Sequence, residues 1–295
     1  MIVVGVNGGG TKTEAICCNE DGEITGRSRA GPSNYHNLGL EAAIGNVKAA
    51  VSGATSKKPD IICVALAAMD AKRDLEAVRI RLSKEYDNLI LEHDAFAELY
   101  AEERGKPGII VIAGTGSVVL GFDGKERYRR CDSGWFLGDE GSGYFIGRQG
   151  LKASAKSIFE DKKETVLSKA VVAGLGLSDY EDIIGWSYSS KNTIAGVASV
   201  AKAVFAAAES GDITAKSIID AASSNVANAA TDLAGRLGIG KVHIKGGLIK
   251  SDIYYSNFSR MLKENGIKCV KAKRHGAEGA LLMAADNVGV KVKIR

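Results

Sequence analysis

The chain carries one pattern of strands and turns twice, and the two copies begin about 104 residues apart. In each copy an apolar strand, a loop of Gly with Thr or Ser, a second strand, an Asp-Gly turn and a third strand follow one another. The loops are Gly8-Gly9-Gly10-Thr11 and Gly114-Thr115-Gly116-Ser117, and the turns are Asp21-Gly22 and Asp123-Gly124. This ordered repetition indicates an internal duplication in which each copy opens one lobe, and a length of 295 residues allows two lobes.

Composition limits the class of protein. Hydrophobic residues make up 45% and charged residues 25% of the chain, which is typical of a globular fold and excludes a disordered or fibrous one. The apolar stretches are far shorter than the roughly 20 residues that span a bilayer, and the chain starts in a strand pattern without a signal peptide, so we expect no membrane partner. The net charge of +4 comes without a Lys/Arg tract, which argues against a nucleic-acid partner. Five cysteines without a CxxC pair favour a reducing, cytoplasmic location.

Both glycine loops suit the binding of phosphate. Glycines let backbone N–H groups approach an anion without side chains in the way, and Thr or Ser adds a hydroxyl donor. A P-loop would end in Gly-Lys-Ser/Thr and lead into a helix, whereas here Lys12 follows Thr11 and a strand comes next. A dinucleotide-binding loop also needs a helix, which residues 11–18 do not predict. Two such loops, facing each other, would hold a polyphosphate from both sides.

These loops and a third motif carry a resemblance to a known superfamily. Residues 8–13, residues 114–117 and Lys245-Gly246-Gly247 resemble the two phosphate loops and the adenosine motif of the actin-like, duplicated RNase H-like kinases and ATPases. Three further motifs are similar to the BadF/BadG/BcrA/BcrD ATPase family and, within it, to N-acetylglucosamine kinases and archaeal ATP-dependent hexokinases. They are Asn34-Tyr35-His36-Asn37, His93-Asp94 and Gly138-Asp139-Glu140-Gly141-Ser142-Gly143-Tyr144.

The resemblance implies an α/β fold of two RNase H-like, actin-like ATPase lobes, each a mixed β-sheet flanked by helices, with a cleft between them. The first lobe is expected over residues 1–106, with a C-terminal helix at about 277–295 that packs back on it. The second lobe is expected over residues 107–276 and includes a helical insertion.

The resemblance also implies an ATP-dependent carbohydrate kinase. Such an enzyme transfers the γ-phosphoryl group of ATP to a hydroxyl of a hexose or amino sugar, such as glucose or N-acetylglucosamine, with ATP and Mg²⁺ as cofactors. We expect a homodimer whose other partner is the small sugar. The ATP-binding residues implied are Gly8, Gly9, Gly10, Thr11, Lys12, Thr13, Gly114, Thr115, Gly116, Ser117, Gly246 and Gly247.

Asp94 is the candidate catalytic residue. It follows a strand-like run at residues 89–91 and precedes a helical pattern, a position where an Asp can simply cap the helix. By resemblance, it is instead the general base that accepts the proton of the attacking sugar hydroxyl and orients that hydroxyl in line with the γ-phosphate. Both interpretations remain open from the residues alone.

Six residues are implied as acceptor-binding. Amide, carboxylate and hydroxyl groups exchange hydrogen bonds with sugar hydroxyls, and an indole can lie against a sugar ring. For Trp135 a place in the core, and for His36 a structural contact, are equally compatible with the sequence. The residues are Asn34, His36, Asp94, Trp135, Asp139 and Ser142.

The metal site is less well defined. Many relatives carry an acid where Asn7 stands, and that acid helps to hold Mg²⁺ through water, because hard cations prefer carboxylate oxygens. With the neutral Asn7, the metal would depend on the nucleotide phosphates and on Asp94, with Asn7 and Asp94 acting through water.

Three alternative functions stay open. Arg129-Arg130 could pair with the carboxylate of a sugar acid such as 2-keto-3-deoxygluconate. An ATPase that activates a 2-hydroxyacyl-CoA dehydratase would need thiolates for a shared iron–sulfur cluster, and Cys131 is the only cysteine between Val64 and Lys268. A non-enzymatic sugar sensor would need a DNA-binding domain in addition.

Overall fold

Two five-stranded sheets with the same order of strands form the centre of the fold. The computed structural model describes residues 1–67, 69 and 71–294. The first sheet has the order β3-β2-β1-β4-β5, and the second, read from β8, has the order β8-β7-β6-β9-β10. The strands are β1 Val3–Gly8, β2 Thr13–Cys18, β3 Ile24–Ala30, β4 Ile61–Leu66, β5 Leu89–His93, β6 Gly108–Ala113, β7 Ser117–Phe122, β8 Arg127–Arg130, β9 Lys241–Lys245 and β10 Lys268–Lys271.

The pairing of the strands is also repeated. In each sheet the first three strands form an antiparallel meander, and the last two lie parallel to the first strand. Parallel neighbours need a crossover connection, which helices provide in both cases. The repetition confirms the predicted duplication and the mixed α/β sheets.

Helices cover the sheets. They are α1 Tyr35–Leu38, α2 Leu40–Ala54, α3 Lys72–Leu82, α4 Asp94–Glu103, α5 Gly134–Leu137, α6 Gly143–Ala155, α7 Val166–Leu175, α8 Asp182–Ser187, α9 Ile194–Ser199, α10 Ala201–Glu209, α11 Ile213–Leu237, α12 Asp252–Glu264 and α13 Gly276–Asn287. Among the described residues, none of these helices combines the length and the apolar composition needed to cross a lipid bilayer.

The chain divides into two units. The first comprises Met1–Pro107 and Ala272–Arg295, and the second comprises Gly108–Lys271. The expected lobes had their boundaries after residues 106 and 276, so residues 272–276 group with the first unit instead of the second. These residues lead directly into α13, which packs against α4, β1, β2 and β4 of the first unit. Arg295, the last residue of the expected C-terminal helix, lies outside the described residues.

In the first unit the sheet is buried on both faces. Val4, Val6 and Ile62 pack with α2 and α3 on one face, and Val3 and Cys63 pack with α4 and α13 on the other. A Cβ at Gly5 would lie only 2.0 Å from the Leu281 backbone nitrogen, so α13 rests directly on β1. Burial on both faces explains why β1 and β4 read as continuous apolar runs.

In the second unit one face of the sheet packs against α11 and α12 through residues such as Val111, Leu233 and Phe258. Residues of the helical insertion form a second apolar cluster, which includes Ile146 and Val204. In both units the two strands that flank the glycine loop, β1 and β2 or β6 and β7, are packed in the core. This packing fixes the position of the loop.

Candidate active site

The first glycine loop, residues 8–13, closes the hairpin between β1 and β2. Gly8 pairs with Thr13 at the end of the ladder, and the Gly9 N–H donates to the Lys12 carbonyl at 3.1 Å. A Cβ at Gly9 or Gly10 would meet no atom within 4 Å. The space beside this loop is therefore open, as the approach of a phosphate to the backbone requires.

Two predicted ATP-binding side chains of this loop are engaged inside the first unit. The Lys12 ammonium lies 2.8 Å from the Glu14 carboxylate. The Thr13 hydroxyl is fully buried, donates to the Gly31 carbonyl at 2.7 Å and lies 2.9 Å from the Ser33 hydroxyl. The Thr13 hydroxyl thus supports the loop from within, and the assignment of Thr13 to ATP binding stays a prediction.

The segment that carries Asn34 is tied to the same loop. The Gly9 carbonyl accepts from the Ser33 N–H at 2.9 Å and from the Asn34 N–H at 3.2 Å. The Asn34 Oδ1 atom is buried and has no hydrogen-bond partner within the described part of the chain. A buried acceptor in that state costs free energy unless a ligand donates to it, so Asn34 suits a hydroxyl-bearing ligand. His36 is half exposed, and its Nε2 lies 3.9 Å from Asp74.

Asp94 lies at the same edge of the sheet as the first glycine loop. Gly8 is in parallel register with Leu66, and Leu66 is in parallel register with His93, the last residue of β5. Neighbouring strands are about 4.8 Å apart, so the end of β5 lies roughly 10 Å from the loop. The carboxyl ends of parallel strands are where α/β proteins bind their ligands.

The Asp94 carboxylate is oriented by its neighbours. Its Oδ1 accepts from the Ala95 N–H at 2.8 Å and lies 3.1 Å from the Nδ1 of His93. His93 occupies the position that caps α4, and its Nδ1 also accepts from the Ala95 N–H at 3.3 Å. Asp94 is the first residue of the helix and retains a quarter of its side-chain exposure, so a ligand can reach it.

Asn7 lies behind this edge, next to a carboxylate that sequence reasoning missed. Its Nδ2 donates to Glu98 Oε1 at 3.4 Å, and its Oδ1 is buried without a partner among the described residues. Glu98 follows Asp94 by one helical turn, and this spacing of four residues was the signal that could have identified it. An unpartnered amide oxygen beside carboxylates suits a water molecule bound to a hard cation, so these residues fit Mg²⁺ held through water.

The second glycine loop, residues 113–117, is shorter than the first. Ala113 pairs with Ser117, so three residues turn the chain where the first loop uses four. The Gly114 N–H donates to the Gly116 carbonyl at 2.9 Å, and Thr115 is exposed at the tip. A Cβ at Gly114 would meet no atom within 4 Å, so this loop is also open on one side.

The start of α6 holds the second loop from below. The Gly143 N–H donates to the Gly114 carbonyl at 2.7 Å, and the Tyr144 N–H donates to the Thr115 carbonyl at 3.1 Å. These N–H groups belong to the first turn of the helix and have no partner inside it. The carbonyls of Gly114 and Thr115 therefore satisfy donors at the helix terminus.

Asp139 reaches the second loop as well. Its Oδ1 accepts from the Ser117 N–H at 3.1 Å, and a Cβ at Gly116 would lie 2.9 Å from the carboxylate. Burial raises the pKa of Asp139 to about 6, and the Ser117 N–H opposes this rise. Its predicted contact with a sugar stays a prediction; the contact with the loop was not foreseen.

Trp135 and Ser142 flank Asp139 in sequence. Trp135 lies on α5 with 43% of its surface exposed, and its ring centroid is 5.6 Å from that of Phe136 and 5.3 Å from that of Tyr144. Ser142 is fully buried and caps α6, since its Oγ accepts from the Phe145 N–H at 3.1 Å. Trp135 is thus available to a ligand, whereas Ser142 supports the segment.

Gly246 brings the predicted adenosine motif to the second loop. Lys245 pairs with Ile112 at the parallel ends of β9 and β6. Gly246 has a φ of 113°, and a Cβ there would lie 2.0 Å from the Ala113 carbonyl oxygen, so only glycine fits. A Cβ at Gly247 would meet no atom within 4 Å.

Two duplicated units of this topology, each with a glycine loop after its first strand, define the actin-like ATPase fold. A protein from Chromobacterium violaceum, assigned as an N-acetylglucosamine kinase, has this fold with a TM-score of 0.84 and 22% identity, and the alignment covers 96% of this chain and 98% of that one. A ROK family glucokinase from Streptomyces griseus shares it with a TM-score of 0.60 and 18% identity, over 96% and 98% of the two chains.

The sequence profile of the BadF/BadG/BcrA/BcrD ATPase family matches residues 4–284, and the chain belongs to this family. The N-acetylmuramic acid/N-acetylglucosamine kinase of Clostridium acetobutylicum is 29% identical, over 96% of this chain and 97% of that protein. The N-acetyl-D-glucosamine kinase of Dictyostelium discoideum is 28% identical, over 90% of this chain and 91% of that protein.

Proposed function

We propose that this protein is an ATP-dependent kinase that phosphorylates a hydroxyl of N-acetylglucosamine. The observation that carries the proposal is the alignment of Asp94 with the first glycine loop at one edge of the sheet, together with Asn34, which is bonded to that loop and whose amide oxygen has no partner among the described residues. Family membership and two full-length relatives named as N-acetylglucosamine kinases support the same activity.

Asp94 acts as the general base. The acceptor hydroxyl oxygen attacks the γ-phosphorus of ATP, the bond from that phosphorus to the bridging oxygen breaks, and ADP leaves with the bond electrons. The hydroxyl proton passes to the Asp94 carboxylate, whose orientation the Ala95 N–H maintains. Asn34 accepts a hydrogen bond from another hydroxyl and so fixes the sugar relative to the base.

The glycine loops bind the phosphates of ATP. The open sides at Gly9 and Gly114 allow phosphate oxygens to approach the backbone. Mg²⁺ would neutralise charge on the phosphates, with Asn7 and Asp94 holding its water ligands. The phosphates would supply its direct ligands.

The alternative acceptors find less support. Arg129 lies 3.0 Å from Asp132, and Arg130 lies 3.2 Å from Asp232, so both guanidinium groups already face carboxylates. A sugar acid would have to compete with these ion pairs. Cys131 is partly buried and burial raises its thiol pKa to about 11, which disfavours the thiolate that a cluster requires. The homodimer and the cytoplasmic location stay predictions.

The proposal is tested by a transfer assay with Mg-ATP and a panel of neutral sugars, amino sugars and sugar acids. We expect the highest kcat/KM with N-acetylglucosamine. Asp94→Asn should lower kcat on the order of 10²–10⁴-fold, since a positioned base contributes that much, and should leave the Kd of metal-free ADP unchanged.

Asp87→Asn is the matched control, because Asp87 is an exposed carboxylate of the same unit that pairs with Lys58 on the surface. It should keep wild-type activity. If Asp94→Asn keeps kcat within about threefold of wild type, Asp94 is not the base. Rapid ATP hydrolysis that no member of the panel stimulates would contradict the kinase activity itself.

A further inference from the structure

In the second unit, a hydrogen bond joins the two ends of a short segment, residues 131–139. The Asp139 N–H donates to the Cys131 carbonyl at 2.9 Å, and both end residues have positive φ angles, 61° for Cys131 and 56° for Asp139. Residues other than glycine adopt this backbone conformation uncommonly, and they keep it where surrounding contacts impose it. Between these ends, Phe136 and Leu137 are each 78% exposed. The segment therefore presents apolar side chains at its tip and strain at its base.

Asp139 connects the base of this segment with the second glycine loop. Its side chain accepts from the Ser117 N–H, and it lies against Gly116, where a Cβ would come within 2.9 Å of the carboxylate. Its main-chain carbonyl accepts from the Ser142 N–H at 3.0 Å, at the start of α6. One residue thus contacts the loop, the segment and the helix that supports the loop.

The contact is not the arrangement of lowest free energy for a carboxyl group. Burial of the carboxylate raises its pKa, and the backbone conformation adds strain that Gly would not have. A turn with a purely structural role could use an exposed carboxylate, which avoids the free-energy cost of burial. At Asp139 both the burial and the backbone strain fall on a residue that faces the loop backbone, and backbone strain clusters at ligand sites.

We propose that Asp139 is a positioning residue that holds the second glycine loop in its nucleotide-binding shape through the Ser117 N–H. This inference rests on the proposed function, since it assumes that the loop binds ATP.

Two substitutions separate this role from a contact with sugar alone. Asp139→Gly removes the side chain and adopts a φ of 56° without strain. Asp139→Asn retains an oxygen that can accept from the Ser117 N–H, and Asn adopts the left-handed conformation as readily as Asp does. Calorimetry with ADP, in the absence of any sugar, measures the effect on the loop directly.

Asp139→Gly should raise the Kd of ADP about tenfold, and Asp139→Asn should restore it to within about threefold of wild type. Cys131→Gly is the matched control, because it relieves the same strain at the other end of the segment without touching the loop; it should bind ADP like wild type. Steady-state kinetics should show a higher KM for ATP in Asp139→Gly than in Asp139→Asn.

Unchanged ADP binding in Asp139→Gly, together with a higher KM for the sugar, would make Asp139 an acceptor ligand only and overturn the proposal. Equal losses in both variants would overturn it too, since the accepting oxygen would then be irrelevant. If Asp139→Gly does not fold, Asp139→Asn still decides, because a tenfold loss of ADP affinity in that variant contradicts the proposal. If the acceptor is not N-acetylglucosamine, the proposed function fails but the ADP measurements, made without sugar, still test this inference.

Discussion

The two glycine loops have the same place in their sheets but different supports. The first loop is held through the carbonyls of Gly8, which accepts from Ala67, and of Gly9, which accepts from Ser33 and Asn34, and through the hydroxyl of Thr13, which donates to Gly31. The second is held through two carbonyls, which accept from the start of α6, and through the N–H of Ser117, which donates to Asp139.

This difference shows what a duplication retains. The hairpin backbone and its open side are present in both copies, because the approach of an anion depends on them. The supporting segments differ, since each also carries other side chains: Asn34 beside the first loop, and Asp139 with Trp135 beside the second. Asp94 has no counterpart after β10, where Ala272 and Lys273 follow the strand. Both copies thus contain a glycine loop, whereas the candidate base and the other candidate ligand-binding side chains differ between them.

The largest effect is expected from filling the open side of either loop. Gly9→Val and Gly114→Val each place a branched side chain where no protein atom lies within 4 Å, in the space assigned to phosphate. We expect the Kd of ADP to rise on the order of 100-fold in each variant, equivalent to about 2.7 kcal/mol. Calorimetry would measure it, with sugar binding as an internal reference.

Gly45→Val on α2 serves as the control, because its Cβ would also meet no atom within 4 Å but lies on a helix of the first unit. If only one of the two loop variants loses affinity, the loops do not act as equivalent phosphate sites. If neither does, the nucleotide binds elsewhere.

A smaller effect concerns the hydroxyls at the end of each loop. Thr13 and Ser117 open the second strand of their sheets, and each hydroxyl donates to a carbonyl, at 2.7 Å to Gly31 and at 3.1 Å to Glu140. Thr13→Val leaves the Gly31 carbonyl without its donor and should lower the free energy of unfolding by about 1–2 kcal/mol. Ser117→Ala should cost less, because its bond is longer. Urea unfolding of both variants would check the order, and a reversed order would contradict the stronger anchoring of Thr13.

The smallest effect is a pH dependence peculiar to the second loop. The folded pKa of Asp139, about 6, exceeds the ordinary value of 3.8, so wild type loses stability as pH rises from about 4 through 6. Asp139→Asn removes this titration, and its stability relative to wild type should therefore increase between pH 5 and pH 8. Urea unfolding at both pH values measures the difference.

Asp123→Asn gives the contrasting result. The N–H groups of Lys125 and Glu126 lower the pKa of Asp123, so its contribution is lost only as pH falls below about 4. Between pH 5 and pH 8 this variant should keep a constant difference from wild type. A constant difference for Asp139→Asn as well would show that its carboxyl group is not destabilised by burial.

The sequence was sufficient for the features that depend on local pattern. The succession of strand-like runs and Asp-Gly turns predicted both meanders, and the glycines predicted the open loops. Short-range backbone preferences determine these elements. Contacts between distant residues were not accessible in this way. Asp139 meets Ser117 across 22 residues, and the Thr13 hydroxyl turns inward toward Gly31, because tertiary packing determines side-chain directions at both sites. The spacing of four residues from Asp94 could have identified Glu98, but no motif contains this residue.

The placement of α13 has a consequence for the biosynthesis of this chain. The first unit is discontinuous, and its sheet is covered on one face by a helix that begins at Gly276, whereas the second unit is a single continuous stretch. A ribosome therefore releases every residue of the second unit before it releases the helix that covers β1. Until then the apolar face around Val3 and Cys63 has α4 against it but lacks α13, so we expect chaperones to bind the nascent first unit.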